Sequence, residues 1–388
     1  MKYRTHKDLT LSEIGVGCYA LSGVYGPKDL DQFKTMLHRA FDLGVNFFDV
    51  AEGYGEAESV LGEVVQPFRP AIHIASKVGV VDGLKPNLSE SYIQKACERS
   101  LARLQTDYLD LYQVHFDDPK TPVEETLQAL ENLKQAGKIR HYGVCHLPIQ
   151  RVAEYMHLGD PFSVLMELSA VSHDALNSIL PLCNQQNVAG IAFSTTGRGM
   201  LTGKFDQNTT FPADDLRSFD PLFQRERFRS GLRVTAELEY LGQKYGKTPA
   251  QMAIAWVLAQ PGITCALTGP STLVHLEENL AANQFDFSDV DLANFQIFLD
   301  QENAKLALEQ REAVRAIFDN PESKVTFAEL LFVIDTAVQL EIFSENDGMS
   351  LIQELFALRG AQDDIPQPKM QDLKNHLARF FNDYLSHR

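Results

Sequence analysis

Residues 91–116 read SYIQKACERSLARLQTDYLDLYQVHF and predict one helix followed by one buried strand. Residues 91–104 carry apolar side chains at helical spacing, which is typical of an amphipathic helix. The run LDLYQVHF at 109–116 is almost continuously apolar, as in strands that are covered on both faces of a parallel sheet. This stretch therefore predicts an α/β fold with a parallel sheet.

Runs of the same kind recur from Ser12 to about Asn283 with helical patterns between them. The eight runs are EIGVG (13–17), VNFFDVA (45–51), IHIASKVG (72–79), LDLYQVHF (109–116), IRHYGVC (139–145), FSVLMEL (162–168), VAGIAFS (188–194) and ITCALTG (263–269). Eight such repeats predict a closed (β/α)8 TIM barrel. A doubly wound open sheet is the alternative, but Gly15, Gly17 and Gly23 do not form the glycine-rich turn that such sheets carry after their first strand.

Two segments depart from this repeat. The segment between Thr196 and Phe228 is too long for an ordinary connection, which indicates a functional loop after the seventh strand. After Gln301 only helical patterns follow, one of which has Thr326 as its predicted N-cap. We expect a barrel over residues 1–300 and an all-helical C-terminal extension over 301–388 that packs on the barrel, caps its open end or forms a homo-oligomer interface.

Composition excludes several classes of function. The net charge of −17 disfavours binding to nucleic acid or to an anionic membrane, and no apolar stretch is long enough to span one. The start of the chain lacks the apolar core of a signal peptide, so we expect a cytoplasmic protein. The five cysteines are scattered and never paired as CxxC, which predicts reduced thiols and no metal site.

Four ionisable side chains come at or just past the ends of three consecutive predicted strands. Asp49 and Tyr54 follow the second strand, Lys77 ends the third, and His115 ends the fourth. In a parallel barrel these ends lie on one face, so the four side chains can converge. Taken singly, Asp49 can be a helix cap, and Tyr54 and His115 can be packing residues. Lys77 is different, because a buried ammonium requires a carboxylate and Asp49 lies one strand away.

This set of residues predicts proton-transfer chemistry. A phenol has a pKa of roughly 10, and a neighbouring ammonium lowers it. Asp49 would hold Lys77 charged, His115 would orient the reacting oxygen, and Tyr54 would act as general acid or base. The set has no electron source of its own, which implies a hydride cofactor.

The chain resembles the aldo-keto reductase family from Ser12 to about Ala282, and most closely the bacterial branch related to potassium-channel β-subunits and general-stress reductases. The resemblance is carried by FFDVAEGYG, ASKVG, LARLQTDYLDLYQVHFDDP, GKIRHYGV, RGMLTGKF and EENLAA. It implies an NAD(P)H-dependent oxidoreductase in which Asp49, Tyr54, Lys77 and His115 form the catalytic tetrad.

The resemblance also implies cofactor and substrate contacts. The residues expected to bind the cofactor are Gly17, Cys18, Cys145, His146, Phe193, Ser194, Arg198, Gly199, Lys204, Gly269, Ser271, Thr272, His275, Glu278 and Asn279. Among them, Arg198 and Lys204 would be pyrophosphate cations, and the helix after Thr272 would offer its N–H groups to a phosphate. Tyr19 and Phe116 would line the substrate mouth.

Two departures from the family concern the choice of cofactor. Ser271 stands where an arginine commonly grips the 2′-phosphate, and His275 stands where glutamine is usual. The resemblance favours NADP(H) over NAD(H), but Ser271 weakens that preference and leaves NADH or dual use open.

Further departures concern the groups that hold the nicotinamide carboxamide. The family's Ser-Asn pair is Cys145-His146, its glutamine is Leu165, and its Tyr and Asn are Leu168 and Ser169. At Phe193 a stacking tyrosine becomes phenylalanine. A reductase that seats its nicotinamide differently is the main hypothesis. The alternatives are a nicotinamide-binding sensor or interaction protein, and a non-redox isomerase or lyase that uses the same tetrad.

Overall fold

The computed structural model describes residues 1–26, 28–81, 85–145, 147–319, 324–359 and 367–386, without the side chains of 345–346, 357–359 and 382–386. Its strands are β1 (Tyr3–His6), β2 (Leu9–Ser12), β3 (Ile14–Gly17), β4 (Phe47–Asp49), β5 (His73–Val78), β6 (Val80–Val81), β7 (Lys85–Pro86), β8 (Leu109–Val114), β9 (Ile139–Cys145), β10 (Ser163–Glu167), β11 (Ala189–Phe193) and β12 (Ile263–Thr268).

Eight of these strands form a closed parallel barrel in the order β3-β4-β5-β8-β9-β10-β11-β12. Each of the eight apolar runs of the sequence contains one barrel strand, so the predicted (β/α)8 TIM barrel is confirmed. Because all eight strands are parallel, their carboxyl ends lie on one face, as the convergence of the strand-end residues requires.

Helices alternate with the barrel strands and continue into a helical C-terminal part. Their bounds are α1 (Leu30–Asp42), α2 (Ala57–Val65), α3 (Glu90–Leu104), α4 (Val123–Gln135), α5 (Ile149–Leu158), α6 (Ile179–Gln186), α7 (Arg225–Tyr245), α8 (Pro249–Leu258), α9 (Leu273–Leu280), α10 (Asp289–Phe318), α11 (Phe327–Gln339), α12 (Glu345–Arg359) and α13 (Gln367–Ser386). Thr326 caps α11 as predicted, in a capping box with Glu329.

The barrel interior is filled by apolar side chains from many strands. Phe47, Leu111 and Ile191 belong to one buried cluster there. Leu9 and Leu11 of β2 join the same cluster; β2 pairs with β1 as an antiparallel hairpin and exposes only Thr10 of its four residues. This hairpin was not predicted, since its strands are short and half polar.

The chain divides into two compact units. The barrel unit comprises residues 1–203 and 236–289, and the second unit comprises 204–235 and 290–388. The second unit therefore includes most of the long loop after β11, whereas the sequence suggested a boundary at residue 300. The two-domain division at that residue stays a prediction.

Inside the second unit the loop and the helices share contacts. Phe219 packs edge-to-face against Phe327, with ring centroids 5.7 Å apart. Arg227, which is buried, pairs with Asp335 at 2.9 Å. The apolar side chains of α10, α11, α12 and α13 form one buried cluster.

The described residues offer neither a membrane span of helical type nor a metal-binding cluster. None of their helices is long and apolar enough to cross a membrane. The same residues contain no cluster of His, Cys, Asp and Glu side chains that would suit a metal ion. All five cysteines are buried free thiols.

Candidate active site

Three neighbouring strands deliver the predicted tetrad to the carboxyl end of the barrel. Asp49 is the last residue of β4, Lys77 is the penultimate residue of β5, and His115 directly follows β8. Tyr54 lies in the turn after β4, where its N–H donates to the carbonyl of Ala51 at 3.0 Å. The barrel topology thus brings all four side chains to one region.

Asp49 and Lys77 form a buried ion pair. Lys77 Nζ donates to Asp49 Oδ1 and also to the carbonyl oxygen of Val50 at 2.9 Å. The exposed fractions are 1% for Lys77 and 5% for Asp49, so neither charge is solvated by bulk water. Burial alone would lower the pKa of Lys77, but the Asp49 carboxylate outweighs it and raises the pKa above its ordinary value. Lys77 therefore stays an ammonium ion at neutral pH.

Tyr54 lies between the ammonium and the imidazole. Lys77 Nζ is 4.9 Å from the centroid of the Tyr54 ring, and the His115 ring is 5.8 Å from it in an edge arrangement. Burial raises the pKa of Tyr54, and the Lys77 ammonium opposes this rise without cancelling it. The sequence-based expectation of a lowered phenol pKa is therefore wrong in its net direction, because desolvation outweighs the single nearby cation.

The predicted substrate residues lie beside the tetrad. The Tyr19 ring packs on Tyr54 with centroids 4.8 Å apart, and the Phe116 ring lies 4.7 Å from His115. Tyr19 is 37% exposed, so the aromatic group reaches solvent. An apolar surface thus borders the phenol.

Gln113 also belongs to this region and was not among the predicted site residues. It is fully buried on β8, and its Nε2 donates to Asp49 Oδ2 at 3.3 Å. The signal that could have identified Gln113 is the presence of an amide within the apolar run LDLYQVHF. Gln113 lies two residues before His115 and therefore on the same face of the strand.

The neighbouring strands β9, β10 and β11 carry apolar groups where the family holds the carboxamide. Cys145, Leu165 and Phe193 belong to or pack against the interior cluster, and Cys145 pairs in register with Leu165. Burial raises the pKa of the Cys145 thiol, so it remains protonated. Leu168 and Ser169 are fully buried, and His146 lies outside the described residues.

The loop after β11 has an unusual backbone. Ser194 and Arg198 adopt left-handed conformations with φ of 58° and 53°, and Gly197 and Gly199 also have positive φ. Such conformations are rare outside glycine and cluster at ligand-binding sites. The Ser194 hydroxyl is buried, and among the described residues it has no hydrogen-bond partner.

Two predicted pyrophosphate cations have other contacts. Arg198 forms a two-point ion pair with Glu167 at the end of β10, with both N–O distances 3.0 Å. Lys204 falls in the second unit, where its Nζ lies 4.9 Å from the centroid of the Phe205 ring. Their contacts with a cofactor stay predictions.

Helix α9 begins where the phosphate contact was predicted. Thr272 caps it by accepting a hydrogen bond from the His275 N–H at 3.2 Å. Ser271 Oγ lies 3.4 Å from His275 Nδ1. The family resemblance implies that Glu278 and Asn279 on α9 contact the adenine; Asn279 is buried and Glu278 is partly exposed.

Two glycines and a cysteine complete the predicted set. Gly17 at the end of β3 pairs in register with Asp49, and a Cβ on Gly269 would lie 3.9 Å from the Gly17 carbonyl oxygen. Gly17 therefore lies next to the tetrad strand β4, and Gly269 lies close to Gly17. Cys18 directly follows Gly17 in the chain. It is buried, and this burial raises the pKa of its thiol to about 12.

Some of these residues suit the phosphates of a dinucleotide. The buried Ser194 hydroxyl and the N–H groups in the first turn of α9 are hydrogen-bond donors, and phosphate oxygens are acceptors.

The chain matches the Aldo/keto reductase family over residues 13–300. It belongs to the aldo-keto reductase family. Aldo-keto reductase YhdN of Bacillus subtilis is 32% identical over 292 residues, which are 72% of this chain and 88% of that protein. Aldo-keto reductase yakc [NADP(+)] of Schizosaccharomyces pombe is 31% identical over 292 residues, 72% of this chain and 86% of that protein.

Two solved aldo-keto reductase structures are also similar. The glycerol dehydrogenase AKR11B4 from Gluconobacter oxydans is 30% identical, with a TM-score of 0.69 over 77% of this chain and 93% of that one. The holo form of AKR11C1 from Bacillus halodurans is 25% identical, with a TM-score of 0.66 over 76% of this chain and 95% of that one. These relatives agree with the bacterial branch that the motifs indicated. As an aldo-keto reductase, this chain is an NAD(P)-dependent oxidoreductase that acts on small-molecule carbonyls.

Proposed function

We propose that this aldo-keto reductase transfers a hydride between nicotinamide and a carbonyl or alcohol carbon, with Tyr54 as general acid and base. The observation that carries the proposal is the buried contact of Lys77 with Asp49 beside the Tyr54 ring. A buried ion pair is weak evidence for a stabilising role, which favours a chemical one. His115, whose ring faces Tyr54, would donate to or accept from the reacting oxygen.

The roles within the tetrad follow from charge and burial. The bound nicotinamide supplies or accepts the hydride. In reduction, Tyr54 gives its proton to the carbonyl oxygen as that oxygen gains electron density. The phenol of Tyr54 is protonated at neutral pH, but burial raises its pKa, so the proton transfer depends on the nearby Lys77 ammonium. The Lys77 ammonium stabilises the phenolate left behind, and Asp49 keeps that ammonium charged and in place.

NADP(H) is the proposed cofactor in preference to NAD(H). The resemblance supports this choice, and the yakc relative carries NADP(+) in its name. Ser271 opposes it, because a hydroxyl supplies no charge for a 2′-phosphate. The proposed contacts are the first turn of α9 and the loop at Ser194 for the phosphates, with Asn279 toward the adenine.

The proposed substrates are small carbonyl compounds or alcohols with an apolar portion. Tyr19 and Phe116 border the tetrad with aromatic surface, and Tyr19 reaches solvent. A structural relative is named a glycerol dehydrogenase, so polyols belong in any substrate panel.

The test is nicotinamide absorbance during steady-state turnover with aldehydes, ketones, sugars and polyols. Tyr54→Phe should lower kcat by about 10²–10⁴-fold, because it removes the transferable proton. Cofactor binding would be followed by the fluorescence of Trp256, the only tryptophan, and Kd should be unchanged in Tyr54→Phe. Unchanged turnover in this variant would exclude the general-acid role. Tight cofactor binding without absorbance change in the wild type would instead favour a sensor or a non-redox isomerase or lyase.

Location and assembly are also proposals. A cytoplasmic location is supported by the five free cysteines, since disulfides are rare in that compartment. Homo-oligomerisation through the C-terminal helices is supported by exposed apolar residues of the second unit, such as Leu308 and Phe380. Sedimentation of the wild type and of Leu308→Asp would test it, with a loss of the oligomer expected in the variant.

A further inference from the structure

Asp49 receives hydrogen bonds on both carboxylate oxygens from two different strands. Lys77 of β5 donates to Oδ1, and Gln113 of β8 donates to Oδ2 at 3.3 Å. Lys77 and Gln113 are themselves paired in register. Each oxygen of the Asp49 carboxylate on β4 therefore accepts one hydrogen bond. A rotation of the carboxylate about χ2 would break both contacts.

The chemistry of the amide fixes its orientation. A carboxylate only accepts hydrogen bonds, so the NH₂ group of Gln113 must face Asp49. Within the described residues, Gln113 Oε1 is buried without a hydrogen-bond partner. Burying half an amide unsatisfied is costly, and a leucine would fill the same place in an apolar core without that cost. The contact with Asp49 is the feature of the site that a leucine could not supply.

Charge explains why an amide suits this position. Asp49 and Lys77 balance each other, so an additional charge would leave the buried site with a net charge. Glutamine donates a hydrogen bond to the carboxylate without adding one. A glutamate there would place a second carboxylate against Asp49, and like charges at that distance cannot both ionise readily.

We propose that Gln113 is a positioning residue that holds Asp49 so that Oδ1 faces Lys77 and the ammonium faces Tyr54. This inference rests on the proposed function, since it assigns Gln113 a part in the same proton transfer. Gln113 acts through Asp49 and Lys77 and touches neither substrate nor cofactor in this assignment.

The main experiment compares kcat against pH in the wild type, Gln113→Leu and Gln113→Glu. Gln113→Leu should lower kcat on the order of tenfold, the loss of one hydrogen bond to a charged group. Its cofactor Kd, read from Trp256 fluorescence, should not change. The acid limb of kcat should move to higher pH in both variants, because the Asp49 carboxylate loses a donor or gains a like charge.

The matched control is Tyr112→Phe. Tyr112 adjoins Gln113 on β8 and is fully buried on the opposite face, and its hydroxyl has no hydrogen-bond partner among the described residues. It should leave kcat and its acid limb unchanged. A purely structural role for Gln113 would lower thermal stability and leave the acid limb where it is, and that result would overturn the proposal. If Gln113→Leu fails to fold, the nearly isosteric Gln113→Glu decides the question.

A second readout separates this proposal from the proposed function. Carbon-13 NMR of the aspartate carboxyls, with Asp49→Asn for assignment, follows the titration of Asp49 in the absence of turnover. The titration should move to higher pH in Gln113→Leu or Gln113→Glu. If the wild type shows no redox turnover, the proposed function fails, while this shift still supports the positioning role. An unchanged Asp49 titration would overturn the positioning role whether or not the protein turns over.

Discussion

Two adjacent arcs of the barrel's carboxyl end have opposite chemistry. The ionised arc, formed by Asp49 and Lys77 at the carboxyl ends of β4 and β5, holds a buried ion pair. The apolar arc, formed by Cys145, Leu165 and Phe193 on β9, β10 and β11, packs with the interior cluster. The proposed proton-transfer groups and the proposed nicotinamide seat therefore lie on different strands, and they can be tested by separate substitutions.

The largest expected effect comes from removing one partner of the ionised arc. Lys77→Met leaves the Asp49 charge buried without its ammonium, which should lower the free energy of unfolding by about 3–5 kcal/mol. The double variant Asp49→Asn/Lys77→Met should regain most of that loss, because no buried charge remains. Urea unfolding measures both, and turnover should be absent from both. Equal stability of Lys77→Met and the wild type would show that the pair is not desolvated.

The second prediction concerns stability at alkaline pH. The folded protein holds the protons of Lys77 and Tyr54 more tightly than the unfolded chain does, since the folded pKa of each is raised. Their contribution to stability is therefore complete below about pH 10 and is lost as pH rises toward the folded pKa values. Each group should lower the free energy of unfolding by up to about 1.4 kcal/mol per pH unit in that window.

The measurement is urea unfolding of the wild type and Tyr54→Phe between pH 8 and 11. Contributions from buried thiols, which have the same sign, cancel in the difference between the two proteins. The free energy of unfolding of the wild type minus that of Tyr54→Phe should fall above about pH 10, because only the wild type loses the Tyr54 contribution. A difference that is independent of pH would mean that the phenol is not desolvated in the folded state.

The third prediction concerns the proposed contact between Ser271 and the 2′-phosphate of the cofactor. Ser271→Arg should raise the preference for NADPH over NADH by about tenfold, because guanidinium binds a phosphate through charge-assisted hydrogen bonds. Ser271→Gln, a long neutral side chain, is the control and should leave the ratio near that of the wild type. Cofactor Kd values from Trp256 fluorescence provide the ratio. No change in Ser271→Arg would place the 2′-phosphate elsewhere.

The smallest effect is expected at the apolar arc. Cys145→Ser exchanges a buried thiol for a hydroxyl, a better hydrogen-bonding group of nearly the same shape. Affinity for the intact cofactor should rise about threefold, as one modest hydrogen bond forms. Affinity for ADP-ribose, which lacks nicotinamide, should stay constant. A gain for both ligands would show that the hydroxyl acts on the loop and not on the nicotinamide.

The barrel was predictable because its strands are buried on both faces. Phe47, Leu111 and Ile191 lie in short, near-continuous apolar runs, which are typical of strands in a covered parallel sheet. The N-terminal hairpin was missed because β1 and β2 are four residues each and carry polar side chains on their exposed face. The purely helical part was expected to begin after Gln301, whereas α10 begins at Asp289. The sequence of its first turns resembles the helix that ends a barrel repeat.

The candidate site was predictable by residue type and less so by environment. Strand ends in a parallel barrel converge by topology, so the pairing of Asp49 with Lys77 could be predicted from the sequence. The direction of the Tyr54 pKa was not predictable, since it depends on how completely the phenol is buried. The Gln113 contact and the ion pair of Arg198 with Glu167 depend on side-chain geometry that spacing does not encode.

The protonated thiol of Cys145 has a consequence for the reagents this protein can encounter. Thiolates, not thiols, attack electrophiles, and burial keeps the Cys145 pKa well above its ordinary value. Cys18 and Cys265 are also buried with raised pKa values. A reactive aldehyde or an unsaturated carbonyl compound at the barrel mouth would therefore meet no competent sulfur nucleophile among these three side chains. These three thiols would therefore be poor targets for alkylation by carbonyl compounds.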